Sequence, residues 1–560
     1  MKTRYTLRII ALIVALAGFS ASSFASQWYI SPGGNNANSG TSDTQPWRDI
    51  QFAIDNGSVA NGDTLNLMSG TFSELVSVSK QLLVRNYNGA SVTVQAPNTA
   101  TNAAVFTIAS ANVTVSGLTI VANGGNATVG VYALNRNNLL LTGNAITRSG
   151  TGGSYTVTST NINETFGSAG IVFVSDNASP YESATITGNT INGTGGNFFE
   201  RGAWLRGVNG TFGGATGAAG NTVRASGVDV LVQFTSGANQ TIQNNTFNGA
   251  GLVIDEPFSF TGSGSGSVTV SSNTFSPVAS FSQSLHIRHN YISGSSVSVT
   301  GNTFNSHTVG ILSAGSRNVS IATNSFTTGV ANAVHVRVNS AFSNSSGNFV
   351  QNDCAINGNA FSSTTTDGTA IELLNANVGS QSAPEFSGVT IGTSSSRNNF
   401  VYTLAKYVSM ASGFSYPVNL TENNFGTSST SPTLASSLSR AQMFEVEDKV
   451  NHKLDASSLG LATLQSGKHF VTTNSFVTGT TTSASIQRAV SAASSGDSIF
   501  VKAGTYTDQL TLANAVVIVG DDLVSNEPST VIDAQSGTVV SASGAAAKSL
   551  SNIELRITSS

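Results

Sequence analysis

Little in this 560-residue chain carries charge. Asp, Glu, Lys and Arg make up 9% of it and the net charge is −4. With no basic face to neutralise phosphates, nucleic acid is excluded as a partner. One cysteine, Cys354, excludes a disulfide framework. Beyond the N-terminus no stretch of about 20 unbroken apolar residues occurs, so the mature chain has no membrane span. Proline is scarce, with 10 residues, while Gly, Ser, Thr and Asn abound. Composition alone would suit a disordered linker; the periodicity argues against one.

The N-terminus has the layout of a secretory signal peptide. Lys2, Arg4 and Arg8 precede the apolar run Ile9 to Phe19, and Ser23 and Ala25 form an A-x-A-like site, so cleavage is expected after Ala25. This predicts a secreted or surface-exposed protein.

A fixed motif then recurs, apolar-x-apolar-x-x-Asn-x-apolar. It reads LLLTGNAI (139–146), ATITGNTI (184–191), VTVSSNTF (268–275), VSVTGNTF (297–304), VSIATNSF (319–326), CAINGNAF (354–361) and VNLTENNF (418–425). Weaker copies centre on Asn221, Asn245 and Asn398. Successive Asn residues lie 22 to 45 positions apart. A unit this short cannot bury its apolar face alone, so units must stack and share a core. Strands in register lie ~4.8 Å apart. The Asn residues are expected at sharp corners, where they tolerate left-handed backbone and satisfy turn groups. Phe247, Phe275, Phe304, Phe326, Phe361, Phe400 and Phe425 are expected to form one aromatic stack, and Cys354 to serve as a small buried hydrophobe in the column of Val268, Val297 and Val319.

The repeat resembles that of right-handed parallel β-helix proteins, the architecture of pectate lyases. The segment from Trp28 to Phe72 is similar to the start of secreted β-helix polysaccharide lyases of the pectate-lyase-like and chondroitinase-B-like kind and their uncharacterised tandem relatives. The resemblance implies an all-β, pectin-lyase-like solenoid whose open end is closed by a short helix. Trp47, Ile50, Ala53 and Ile54 supply that helix with an apolar stripe, and a cap is needed to cover unpaired strand edges.

The cap motif occurs twice: SIQRAVSAASSGDSIFVKAGTYTDQLTL (485–512) matches DIQFAIDNGSVANGDTLNLMSGTFSELVSV (49–78). The expected organisation is a signal peptide (1–25), a first β-helix (26–437), a helical connector (438–469) and the beginning of a second β-helix (470–560), as part of a longer tandem protein that is itself monomeric. In the connector, Met443, Val446, Val450 and Leu454 sit at helical spacing and Glu445 faces Lys449, which predicts one amphipathic helix. His452 is read as a solvated residue of that helix.

Charge, though rare, clusters. SLHIRHNY (284–291) holds His286, Arg288 and His289. Aligned from their first residues, the rungs starting at Gly130, Gly170, Gly202, Gly227, Gly251, Ser284, Gly310, Ala333 and Ala370 place Trp204, Asp229, His286, His335 and Glu372 in one outward column. Arg206, Asp255, Arg288 and Arg337 fall in the next. On this alignment Asp255 pairs with Arg288, His335 stands beside Glu372, and Ala314 makes a notch between Arg288 and Arg337.

Two function classes stay open. One is a secreted or cell-surface module that binds glycans or surfaces without turnover. The other is an enzyme acting on acidic polysaccharide. As a lyase it would use His335, Arg337, His286 or Arg288 to neutralise a uronate and remove its C5 proton; as an inverting hydrolase it would use Asp229 and Asp255. Trp204, Arg206 and Glu372 would contact substrate. No metal-ligand set and no cofactor motif is evident, and Ca²⁺ would have to bind without a recognisable loop. The sequence lacks the Gly-His-Gly and paired-Asp motifs of polygalacturonase-like hydrolases and the Arg-x-Pro-x-x-Arg of the major pectate lyases.

Overall fold

The computed structural model describes residues 25–100, 102–125, 128–176, 182–233, 237–255, 266–277, 283–288, 294–339, 341–344, 347–350, 352–375, 388–411, 413–544 and 547–558. Residues 1–24, where a signal peptide is expected, and His289 lie outside them. The chain winds as a coil, each turn adding a strand to each of three long sheets. Sheet I has thirteen strands, from Gln27–Ile30 to Val389–Ile391. Sheet II has fourteen, from Gly70–Ser73 to Thr430–Leu434, and sheet III thirteen, from Val76–Val78 to Val450–Asn451. Neighbours run parallel except the last pair of sheet II, Asn424–Thr427 with Thr430–Leu434. This is a right-handed parallel β-helix.

Identical side chains stack because the register joins equivalent repeat positions. Val268, Val297, Val319 and Cys354 are successive partners in sheet I. Cys354 is 1% exposed, and burial pushes its thiol up to about 12, which leaves it inert. In sheet II the seven phenylalanines form one stack with centroids 4.6–5.3 Å apart. Burial of each ring contributes ~1.5–3 kcal/mol.

Ten asparagines, from Asn144 to Asn423, form a second ladder at the corner between sheets I and II. Each Nδ2 donates to the Oδ1 of the next, at 2.9–3.1 Å through nine consecutive bonds. The left-handed residue at the corner is not the ladder Asn, as the sequence suggested. It is in most turns the residue before it: Gly143, Gly188, Asn244, Ser272, Gly301, Thr323 and Gly358 all have φ between 56° and 68°. The ladder Asn is retained for its amide, which satisfies backbone groups that no strand can reach.

The expected cap is present as helix α1 (Ile50–Asp55), which buries Ile50, Ala53 and Ile54. Trp47 precedes it and stacks on Trp28 at 4.9 Å. The Glu74 carboxylate accepts from the N–H groups of Ile50 and Gln51 at the helix start.

The connector departs from its predicted form. Helix α2 spans only Arg440–Glu447, opened by a capping box between Ser439 and Gln442. Val450–Asn451 is instead the last strand of sheet III, paired with Lys406–Ala411. Glu445 and Lys449 do not meet as a helical pair. Glu445 accepts from Ser428, and Lys449 donates to the carbonyls of Tyr402 and Leu404. The carbonyls of sheet and loop compete for this lysine better than an exposed i, i+4 partner does.

After it the pattern restarts. Strand Lys468–Val471, helix α3 (Ile486–Ala492) and strand Ser498–Val501 repeat the order of the N-terminal cap; the two strands open the first of three small parallel sheets. Asp508, at the position of Glu74 in the matching motif, accepts from Ile486 N and Ser485 Oγ. Its apolar cluster, including Val471, Ile486, Ile499 and Ile518, is separate from the main core.

Candidate functional site

The predicted site residues all derive from sheet III, so its register decides which of them meet. Val131, Ile171, Ala203, Val230, Leu252, Leu285, Ile311, Val336 and Ile371 form its inward column. The outward column beside it runs Tyr132, Val172, Trp204, Leu231, Val253, His286, Leu312, Arg337, Glu372. Asp229 and His335 are not in it. Each lies two residues earlier than the sequence alignment placed it.

Both belong to the corner column near the start of the strand, where Gly130, Gly170, Gly202, Gly251 and Gly310 stand in other turns. That column is enclosed: a Cβ on Gly310 would lie 3.1 Å from Phe326 and 2.5 Å from the His335 carbonyl oxygen. Asp229 is fully buried and accepts from the N–H groups of Ala225, Gly249 and Gly251. Burial pushes its carboxyl up to about 7, against the pull of those three bonds. His335 is also fully buried. It stacks on Phe361 at 5.9 Å, and its Nδ1 lies 2.8 Å from His307 Nε2. Burial pulls His335 down to about 4, and His307 falls well below its ordinary value from burial and from His335 beside it. Two neutral imidazoles sharing one proton fit this geometry. Neither Asp229 nor His335 reaches a polysaccharide on the outer face.

Trp204 and Arg206 are covered as well. A hairpin, Tyr155–Thr158 paired with Asn163–Phe166, lies over the outer face of the early rungs. Tyr155, Val157, Ile162 and Phe166 pack on Val172, Val174, Trp204 and Leu231 as a second apolar cluster. Trp204 is fully buried, meets Phe166 edge-to-face at 5.5 Å and donates from Nε1 to Gln233 Oε1 at 2.8 Å. Arg206 is 4% exposed and donates to the Asn161 carbonyl of the hairpin. Neither is a sugar platform. The signal for this lid was in the sequence: Tyr132, Leu134, Val172 and Val174 point outward, and so many apolar groups on a solvent face require a cover.

Beyond the hairpin the face is polar. Arg288 pairs with Asp255 at 3.1 Å, as expected. Arg337 pairs with Glu372, taking the place assigned to His335. The notch at Ala314 is flanked by Arg288 and Asn339, not by two arginines. His286 and Arg337 share a column with Leu312 between them, ~9.6 Å apart along the axis. Asp255 and Glu372 are four rungs apart, ~19 Å, well beyond the ~6.5–9.5 Å of an inverting carboxyl pair.

Sequence reasoning missed a groove on the outside of sheet II. Ile191, Asn192, Thr222, Arg224, Asn248 and Ser276 line an open cavity of about 340 Å³. The Arg224 guanidinium lies 4.4 Å from the centre of the Phe198 ring. The signal was the polar residue after the apolar position of successive repeats, Asn192 after Ile191, Arg224 after Val223, Asn248 after Phe247 and Ser276 after Phe275.

His452 also departs from its predicted place. It is 2% exposed, donates to Glu447 from Nε2 at 2.8 Å and accepts from Ala462 N at Nδ1.

The three-sheet coil places the chain in the class of right-handed parallel β-helix proteins, as the resemblance to pectate-lyase-like proteins implied. No protein-family model matches the chain, and no curated protein matches it in sequence. Among solved structures it is similar to the GH136 lacto-N-biosidase from Eubacterium ramulus (11% identity, TM-score 0.35, 54% of this chain and 64% of that one). It is also similar to the pectate lyase Pel9A (12%, 0.32, 62% and 79%) and to the PL6 family alginate lyase AlyGC (13%, 0.39, 89% and 71%). The chain thus spans 64% of the length of the biosidase. Among the described residues no helix is long and apolar enough to cross a membrane.

Proposed function

We propose that this chain is a secreted or cell-surface β-helix module that binds polysaccharide on its outer faces without turning it over. The observation that carries this reading is the state of the charged groups on sheet III. Asp229 and His335 are enclosed, and Arg288 and Arg337 each hold a carboxylate. An elimination needs a cation on the uronate and a base near its C5 proton, and an inverting hydrolysis needs two facing carboxyls. The paired face supplies neither set. It does supply guanidinium, imidazole and amide groups at fixed intervals, which suits hydrogen bonding to an extended sugar chain.

The test is a panel of uronic-acid and neutral polysaccharides, with and without Ca²⁺, read for binding, for unsaturated-sugar ultraviolet absorbance and for reducing ends. Binding without products is expected. It should weaken in the Arg288→Ala, Arg337→Ala double variant if sheet III is the contact face, and in Arg224→Ala if the groove of sheet II is. Product formation abolished by Arg337→Ala would refute the reading in favour of a lyase or hydrolase.

A further inference from the structure

Sheet II presents two outward columns of side chains, one on either side of its buried apolar column. From strand Gly70–Ser73 to strand Asn424–Thr427 they hold hydroxyls, amides and small or apolar groups. Among the described residues Arg224 is their one charged member. It stands in the open groove of about 340 Å³, between Asn192 and Asn248 on the adjacent rungs. Arg288 and Arg337 of sheet III each hold a carboxylate. Arg224, by contrast, has no hydrogen bond and no ion pair among the described residues, and no carboxylate lines its groove.

Its surroundings prepare it to receive an oxyanion. Phe198, on the loop after strand Thr190–Ile191, holds the guanidinium 4.4 Å from its ring centre. That contact restrains a long side chain before a ligand arrives, which lowers the entropy cost of binding. Asn192 Oδ1 accepts from Gly193 N at 2.8 Å, so its Nδ2 is the group left to donate. Ser276 Oγ accepts from Asn305 Nδ2 at 3.4 Å, which leaves the hydroxyl proton to donate. The register puts Asn192, Arg224, Asn248 and Ser276 on four successive rungs, ~14 Å from first to last at ~4.8 Å per rung. A guanidinium flanked by neutral donors, with no acid to compete for it, suits a carboxylate or sulfate met in a fork.

We propose, building on the polysaccharide-binding function above, that this groove is the subsite that selects acidic sugar units. Arg224 takes the carboxylate or sulfate oxyanion, and Asn192 and Asn248 donate to the hydroxyls beside it. The sugar chain lies along the coil axis, because the polar column runs on through Ser276, Asn305 and Thr327 at the same interval, comparable to the length of one sugar unit. One uncompensated cation in a neutral face reads one acidic unit and leaves its neighbours to neutral hydrogen bonds. Charge selectivity therefore resides on sheet II and not with the paired arginines of sheet III.

The full chain would be titrated by calorimetry with matched probes: polygalacturonate against its methyl ester for the carboxylate, κ-carrageenan against agarose for the sulfate. At least one anionic probe is expected to bind tenfold or more tightly than its neutral counterpart, and the pair that shows the preference identifies the oxyanion. Arg224→Ala should abolish that preference with Tm unchanged. Arg224→Lys, which keeps the charge but loses the fork, should retain part of it. Arg397→Ala removes an equal charge from an arginine already paired with Glu422 at 3.2 Å and should leave the preference intact. Equal binding within both pairs, or a preference that survives Arg224→Ala, would overturn the inference while leaving the polysaccharide-binding function standing. No binding to any of the four probes would overturn both.

Discussion

Replacing Asn302 by Ala tests whether the amide ladder or the apolar stack holds the coil in register. Asn302 is 1% exposed. Its Nδ2 donates to Asn324 Oδ1 and to the Val270 carbonyl, both at 2.9 Å. Its Oδ1 accepts from the backbone N–H and the Nδ2 of Asn273, again at 2.9 Å. Truncation removes the acceptor of the Asn273 backbone N–H, a donor of the Val270 carbonyl, and one contact from each neighbouring amide. One orphaned buried N–H costs ~1–3 kcal/mol, and the other losses ~1 kcal/mol each. The sum is about 4–6 kcal/mol. Thr269→Ala, on the outward side of the same region, should fall within about 0.5 kcal/mol of the parent.

Because units in a solenoid couple mainly to their neighbours, the loss should appear as local opening. Hydrogen exchange is therefore the assay. The amides of Asn273, Asn302 and Asn324 should lose protection by roughly three to four orders of magnitude, while Val408, several rungs away, should change little. Asn302→Asp should be at least as damaging, since one carboxylate oxygen still accepts from Asn273 but the other replaces a donor and faces Asn324 Oδ1 and the Val270 carbonyl. If Asn302→Ala behaves like Thr269→Ala, the ladder contributes nothing net, and register is held by side-chain packing alone.

Thr323 is a β-branched residue at φ 56°, a conformation that costs ~1–2 kcal/mol outside glycine; Thr323→Gly should raise stability by about 0.5–1 kcal/mol, read from the denaturation midpoint. His335 and His307 have folded pKa values depressed below their unfolded ~6.5. Their contribution is whole above pH ~6.5 and is lost as pH falls from there towards about 4, up to about 3 kcal/mol for His335. His335→Phe, in a corner column that already holds Tyr407, should flatten the fall in stability between pH 7 and 4.5; an unchanged slope would refute this assignment. Asp229, with its raised pKa, acts in the opposite sense in both proteins. Glu74→Ala removes the acceptor of two N–H groups at the start of α1 and should cost about 1–2 kcal/mol, seen as early exchange in Ile50–Asp55.

The fold was legible because its signals were redundant. Asn, Phe and the apolar pair recur together, and a match at all of them leaves one stacking register in sheets I and II. The cap was legible twice from the matching segments 49–78 and 485–512, while the carboxylates that receive the helix N–H groups, Glu74 and Asp508, emerged only from the structure. The connector was less so. The spacing of Met443, Val446, Val450 and Leu454 satisfies a helix, yet Val450 enters sheet III, because an open sheet edge offers a strand more than a helix end offers another turn.

Sheet III was misread for a different reason. Its rungs begin after loops of unequal length, so they were aligned on their first small residue. For Gly227 and Ala333 this was two residues early: the partner of Gly202 is Asp229, and that of Gly310 is His335. A slip of one would have reversed every side chain and broken the alternation, but a slip of two preserves it. The period-2 pattern therefore passed while Asp229 and His335 sat in the wrong column. The corner that receives them is tight in the turns that carry glycine, where an added Cβ would meet backbone or core side chains. A polar residue there must find partners inside the coil, as Asp229 does with three backbone N–H groups and His335 with His307. In a β-helix, then, an acid or histidine two residues before the outward column is a buried corner group until the register shows otherwise. Here that rule separates the residues that could face a sugar chain, His286, Arg288, Arg337 and Glu372, from those that hold the turn.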